Sequence, residues 1–416
     1  MKTYIFIIRR ICTISGAIQY IYNKTRYLES NGWRVLVFSS MHGPILVKGL
    51  SKFSQYIYPS LYYSPSYYRK TVFDNTINSI INDIGCIKDE ECIIESDALP
   101  RAVWAEIIAS HLRCRHLVFL IREKHKYNKE MKEFLLFKYH RHELAGITDN
   151  TILQVFEDST IQKRNDTRFS ACCKNVVEDC EDNYSKLLDD SADFTFGSLG
   201  RLDKSCALTI VETFCSYANC HPSKRFNIVL IGGSISKGKD EVFRKKLQPC
   251  SNVRAVLTGD VYPVPLSFIK RFDVFVSTAG SAGATYSVGI PTVKVHPINA
   301  KPVGIMGMDF FPGEKTMYDT IPNMSLEECI DRAILSSQQI KYVGSSNTEY
   351  IKSMNAEFER QLSFVNQAVS NDYYDINLLL HIKEKTLSGM LRRCLLHLFG
   401  INKYDLICRY LRGRMV

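Results

Sequence analysis

The sequence has no long apolar run. No stretch approaches the ~18–20 apolar residues that a membrane-spanning helix needs, which excludes a polytopic membrane protein. It has no Cys-x-x-Cys pair among its 14 cysteines. The densest group, Cys172, Cys173 and Cys180, lacks zinc-ligand spacing, so reduced thiols packed as small apolar side chains are expected. The start is not expected to act as a secretory leader. The short apolar segment Tyr4–Ile8 is followed at once by Arg9 and Arg10, the wrong side for a leader's charge, so a cytosolic protein is expected. Acidic residues are the minority, 43 against 53 lysines and arginines, for a net charge of +10. The excess is local. Residues 381–416 contain Lys383, Lys385, Arg392, Arg393, Lys403, Arg409, Arg412 and Arg414 against Glu384 and Asp405 only. The remainder is near balance, which argues against a nucleic-acid-binding protein and suggests a basic tail on the inner membrane surface.

What is present is an ordinary globular composition, 45% hydrophobic and 23% charged, over 416 residues, enough for two domains. Apolar runs alternate with helical spacing. Strands are expected at Tyr4–Ile8, Arg34–Phe38, Cys92–Ile94, His116–Ile121 and Leu144–Ile147. The intervening helices are Ile18–Asn31, Ala102–Leu112 and Lys129–His142, and the tyrosine-rich stretch from Tyr56 to Tyr68 reads as a loop. Continuous apolar strands separated by helices indicate a parallel sheet covered on both faces. A polar stretch around Ile161–Asp190 divides the chain. A second series follows, with strands Asp193–Ser198, Phe226–Ile231, Asn252–Leu257, Asp273–Ser277 and Thr292–Val295 and helices Ala207–Cys220, Leu326–Leu335 and Tyr350–Val369. The expected fold class is α/β, two doubly wound Rossmann-like domains facing across a cleft, with C-terminal helices crossing back. The domain limits read as 1–180, 181–345 and a tail 346–416.

Three stretches could carry chemistry. In Ser15-Gly16-Ala17, a glycine opens the first helix, where free N–H groups can meet an anion. In Gly197–Lys204, a glycine-bearing loop presents Arg201 and Lys204, two cations suited to a diphosphate. In Asp273–Val293, a strand runs into small residues and then Gly289-Ile290-Pro291. There the helix N-terminus is bare, and the hydroxyls of Ser277, Thr278, Ser281 and Thr285 are available to a phosphate.

These pieces, in this order, resemble the GT-B glycosyltransferases that build bacterial surface polysaccharides. The likeness rests on Ile7–Ser39, on Gly200–Lys204 with the strand ending at Gly232-Gly233, and on Phe272–Val293. It implies a nucleotide-sugar donor held by the second domain. Arg201 and Lys204 match the diphosphate-binding pair, and Gly280, Ser281, Gly283, Ala284 and Thr285 match the loop and helix start near phosphates and ribose. With Gly16, Ser277 and Thr278 these form the expected donor set. No metal or other cofactor is implied, because fixed cations and amides can stabilise the departing diphosphate. The stretch departs from the family in holding no glutamate; Asp273 is its only acid, and Ala284 stands where a ribose-binding acid is usual. For deprotonating an acceptor hydroxyl, Glu123 and His125 are the expected catalytic residues, with Glu95 and Asp97 also after a strand. The function implied is transfer of a hexose-type sugar to a growing, lipid-linked surface glycan. A sugar-nucleotide epimerase of the same fold and a non-catalytic partner subunit are the alternatives.

Overall fold

Six of the seven residues of β1 (Lys2–Ile8) are buried, so this strand must be covered on both faces. A computed structural model shows how. It describes residues 2–85, 91–97, 99–121, 127–153, 155–156, 164–170, 172, 176–234, 238–342, 347–367, 372–383 and 385–413. The chain divides into two compact units, one of Met1–Cys172 with Ile351–Val416, the other of Cys173–Tyr350.

In the first unit β1 is followed by β2 (Trp33–Ser39), β3 (Ser54–Ile57), β4 (Cys92–Ser96), β5 (Arg115–Leu120) and β6 (Leu144–Gly146). All pair in parallel in the order β3-β2-β1-β4-β5-β6. The connecting helices are α1 (Gly16–Ser30), α2 (Lys70–Ile84), α3 (Leu99–Leu112) and α4 (Lys129–His140). Ser15 caps α1 through its hydroxyl, which accepts from the Ile18 amide, and Asn31 and Gly32 close it.

The tyrosine-rich stretch connects β3 to α2, and within it Pro59 and Pro65 each open a short 3₁₀ turn. The rings are spent on packing. Tyr56 stacks on Phe38 at 4.8 Å, Tyr67 and Tyr68 are buried, and the fully buried Trp104 indole donates to the Tyr63 carbonyl at 2.8 Å.

The second unit contains β7 (Phe194–Leu199), β8 (Phe226–Ile231), β9 (Val253–Gly259), β10 (Val274–Ser277), β11 (Thr292–Val295) and β12 (Pro302–Ile305). Its helices are α5 (Ser205–Cys220), α6 (Lys239–Leu247), α7 (Ala279–Ser287) and α8 (Leu326–Leu335). The order β9-β8-β7-β10-β11-β12 repeats the plan of the first unit, with only β12 antiparallel. α9 (Asn347–Asn366) and α10 (Leu387–Gly413) follow, and from Ile351 onward they belong to the first unit. There Gln361 accepts from the Tyr20 hydroxyl at 2.9 Å and from the Lys24 ammonium. Gly400, at φ +71°, splits α10 into two helices.

Two buried ion clusters lie in the first unit. Lys24 donates to Glu95 at 2.5 Å and to the Tyr4 hydroxyl at 2.6 Å. In the other, Lys138 bridges Glu106 at 2.7 Å and Glu143 at 2.6 Å, Arg141 donates to Glu143 at 2.8 Å, and His116 Nδ1 lies 2.7 Å from Glu106. Burial, reinforced by the Lys138 ammonium, holds the His116 imidazole below its ordinary pKa. Burial pushes the carboxyls of Glu106 and Glu143 up, but Lys138 and its neighbours outweigh it and hold both below the usual range.

The signs set an acid response. Below about pH 6.5 the unfolded histidine takes a proton that the folded one refuses, so stability falls. Below about pH 4.3 the unfolded carboxyls take protons while the folded ones stay ionised, and the loss steepens. Urea midpoints between pH 8 and 4 should be level at first, then decline in these two stages, and His116→Gln should blunt the first. A level midpoint down to pH 5 would contradict this account.

Candidate active site

In an open sheet of this order, the connections leave in opposite directions from two adjacent strands, and ligands bind beyond the carboxyl ends of those strands. In the second unit the strands are β7 and β10. Their carboxyl ends carry the two stretches singled out above, Gly200–Lys204 and Thr278–Thr285.

The two stretches meet. A side chain built on Gly200 would lie 3.3 Å from the Lys204 ammonium and 3.7 Å from the Ser281 hydroxyl. Gly200 has φ +151°, a conformation that L side chains rarely adopt. The loop is held by backbone bonds from Gly200 to the Ile231 carbonyl at 2.9 Å and from Leu202 to the Gly233 carbonyl at 3.0 Å. Gly232 makes this approach possible, since a Cβ there would run into the Gly200 carbonyl. Burial lowers the Lys204 ammonium pKa, and neighbouring Arg201 adds to the effect. Arg201 Nε itself stands 3.6 Å from Asp203. A half-buried cation beside a second cation is set to gain from an anion.

At the start of α7, Ala279 takes φ +53°, strained for a residue with a Cβ. The Thr278 hydroxyl before it is buried without a hydrogen-bond partner. Built side chains at Gly280 and Gly283 would meet nothing within 4 Å, so this face of the helix opens onto free space. Lys204 and Ser281 thus meet beside Gly200 at the N-terminus of α7, an arrangement with the character of a phosphate site.

Other members of the expected set face elsewhere. Ser277 Oγ accepts from the Leu199 amide at 3.0 Å and ties β10 to β7. The Thr285 hydroxyl is fully buried and bonded to Thr292 Oγ1 at 3.0 Å and to carbonyls of its own helix. Ala284 sits in an apolar cluster with Phe268, Phe272 and Phe275, so its side chain points into the core. These three stabilise the frame, because the inner face of α7 has to pack on the sheet. Asp273 bonds the Thr195 amide at 2.7 Å at the amino end of β10, remote from the switch point, and burial raises its pKa. The parts that sequence reasoning did not weigh are Gly200 and Gly232 as devices of close approach; the Gly232-Gly233 pair after an apolar strand was the available signal.

In the first unit Gly16 opens α1, exposed, one residue after the Ser15 cap. Glu123 and His125 lie outside the described residues. Glu95 is engaged with Lys24, and Asp97 pairs with Arg101 at 3.0 Å. Ser96 Oγ lies 2.9 Å from His116 Nε2, and His116 reaches Glu106. That order matches a serine-hydrolase relay, but all three side chains are at most 1% exposed and no substrate reaches them. Among the described residues no group of three or more His, Cys, Asp or Glu is placed to hold a metal ion. Among them, too, no helix is long and apolar enough to cross a membrane.

No protein-family model matches the chain, and no curated protein matches it in sequence. Solved structures do match in fold. A glycosyltransferase from Rickettsia africae is 13% identical, with 91% of this chain and 96% of that one covered at a TM-score of 0.55. HepE of Anabaena, solved with UDP and glucose, is 10% identical, with coverage of 92% and 98% and a TM-score of 0.52. A UDP-GlcNAc 2-epimerase from Methanocaldococcus jannaschii is 12% identical, with coverage of 85% and 98% and a TM-score of 0.50. Identities this low speak for the fold alone, and both units repeat the strand order 3-2-1-4-5-6. The chain therefore has the GT-B fold, held in common by these glycosyltransferases and this epimerase.

Proposed function

We propose that this protein is a glycosyltransferase that takes its sugar from a nucleoside-diphosphate sugar bound at the switch point of the Cys173–Tyr350 unit. The observation that carries the reading is the convergence of Lys204 and Ser281 at Gly200, before a bare helix start with an unpartnered Thr278 hydroxyl. In the reaction the bond from the anomeric carbon to the diphosphate oxygen breaks, and the acceptor hydroxyl oxygen bonds to that carbon. The electron pair leaves with the diphosphate, whose growing charge Lys204, Arg201 and the helix amides stabilise without reorganising. The acceptor proton is assigned, on sequence position alone, to Glu123 or His125. The acceptor is read as a lipid-linked surface glycan with a hexose-type sugar added, and the enzyme as cytoplasmic. HepE, solved with UDP and glucose, supports a uridine donor as the first to try.

A nucleotide that binds only the folded protein stabilises it by about 2.7 kcal/mol at a concentration of 100 Kd. A thermal-shift series over nucleoside diphosphates and their sugars should therefore give a rise of several degrees with one base family, lost in Arg201→Ala. A folded protein that responds to no nucleotide would sink the proposal and leave the non-catalytic partner.

One observation favours a second reading. The UDP-GlcNAc 2-epimerase from Methanocaldococcus jannaschii matches this chain in fold. Product analysis separates the two. An epimerase converts its sugar nucleotide alone, whereas a transferase releases free nucleotide in step with a glycosylated acceptor.

A further inference from the structure

The amino-terminal half of α10 has two apolar sides. One faces inward, where Leu396 is buried in the first unit's core and Gly389 is buried as well. The other is exposed. Leu387, Leu391 and Leu398 are 84%, 61% and 64% accessible, and Met390 and Cys394 fall on the same stripe at helical spacing. Phe399 is exposed beside it, just before the Gly400 break, and Leu406 beyond it. A surface helix of a soluble unit normally turns polar residues outward, so an outer stripe of leucine and methionine is in place for contact with something apolar.

The stripe borders a groove of about 880 Å³. Tyr68, Phe73, Leu380 and Leu398 give the groove its apolar lining. Lys70, Lys383, Arg393 and His397 line it as well, and among the described residues no acidic one does. Apolar surface bordered by lysine and arginine matches the two parts of an anionic lipid, a chain and a phosphate. The same charge opposes a second copy of this chain, because residues 381–416 carry eight lysines and arginines against two acids.

We propose that the amino-terminal half of α10 and this groove dock the first unit onto the anionic leaflet of a membrane. The leucine stripe enters the acyl boundary, and Lys70, Lys383 and Arg393 meet lipid phosphates. The site lies within the first unit and does not depend on the donor reading, which concerns the second. A lipid-linked acceptor would be met at this surface.

The test uses the full chain with vesicles of phosphatidylcholine alone and of phosphatidylcholine with phosphatidylglycerol. Pelleting should favour the anionic vesicles by about tenfold at moderate salt and weaken as salt rises. The double variant Leu391→Asp/Leu398→Asp should lose about tenfold in binding, since a charge in the acyl boundary is costly. Both side chains are exposed, so its melting temperature should match the parent. Lys383→Glu/Arg393→Glu should erase the preference for anionic vesicles. Inorganic phosphate should not compete. Equal pelleting with both vesicles, no pelleting, full binding by the leucine variant, or saturation by phosphate alone would each overturn the proposal. So would a dimer in solution that the leucine variant converts to monomer, because the stripe would then be a self-association face.

Discussion

Lys204→Met should lower the rate of sugar transfer by about 10²–10³-fold, the loss seen when one fixed stabiliser of a developing oxyanion is removed. Methionine keeps most of the length and the apolar stem and removes the ammonium with its charge and donors, so folding and melting temperature should stay near those of the parent. The ammonium stands within reach of Gly200 and Ser281, and burial and Arg201 already depress its pKa. A bound diphosphate would reverse that depression, so binding stabilises the protonated form. Linkage then fixes a sign: affinity for the diphosphate falls as pH rises through the lowered pKa of the free enzyme. Calorimetry at stepwise higher pH checks the sign, and single-turnover kinetics of the variant check the magnitude. An active Lys204→Met enzyme, with affinity constant into alkaline solution, would move the phosphate site elsewhere.

Glu106→Ala should destabilise the first unit by about 3–5 kcal/mol, because breaking a buried pair leaves its partner charge without compensation. Glu106 meets Lys138, His116 and the Tyr374 amide, the last at 3.1 Å, and all three side chains of the cluster centre are at most 1% exposed. The measurement has a built-in reporter. Both tryptophans, Trp33 and Trp104, are buried in the first unit, so their fluorescence follows that unit alone during urea unfolding. Glu106→Gln, which keeps the shape and leaves Glu143 to pair with Lys138, should lose less. A change below about 1 kcal/mol in the alanine variant would mean that the cluster relaxes or admits water.

The parallel strands could be read from sequence because they are continuous apolar runs. Phe226–Ile231 and Thr292–Val295 coincide with their expected limits, as does the helix Leu326–Leu335, whose Ser325 and Glu328 form a capping box. β3 could not, since Ser54–Ile57 is short and none of its four residues is buried. α2 was legible though not among the expected helices: Phe73, Ile77, Ile80, Ile81 and Ile84 recur at helical spacing. α6 was hidden by charge: six of its nine residues are ionisable, and only Phe243 and Leu247 reach the core. At the candidate site, the glycines and cations could be named from their order along the chain. Which hydroxyls stay free could not, because Ser277, Thr278 and Thr285 are chemically alike and differ only in the partners that neighbouring strands bring to them.

The first unit is assembled from two chain segments with the whole second unit between them. Its buried Lys24 reaches Gln361 across 337 residues of sequence. During synthesis at about 5–20 residues per second, the first segment therefore emerges without the helix that meets α1 at Tyr20 and Lys24, and waits tens of seconds for it. The intervening unit, contiguous in the chain, can fold in that interval. A nascent chain halted before residue 351 should thus hold a nucleotide-responsive second unit beside an unfinished first one, and chaperones should find their substrate at its amino-terminal end.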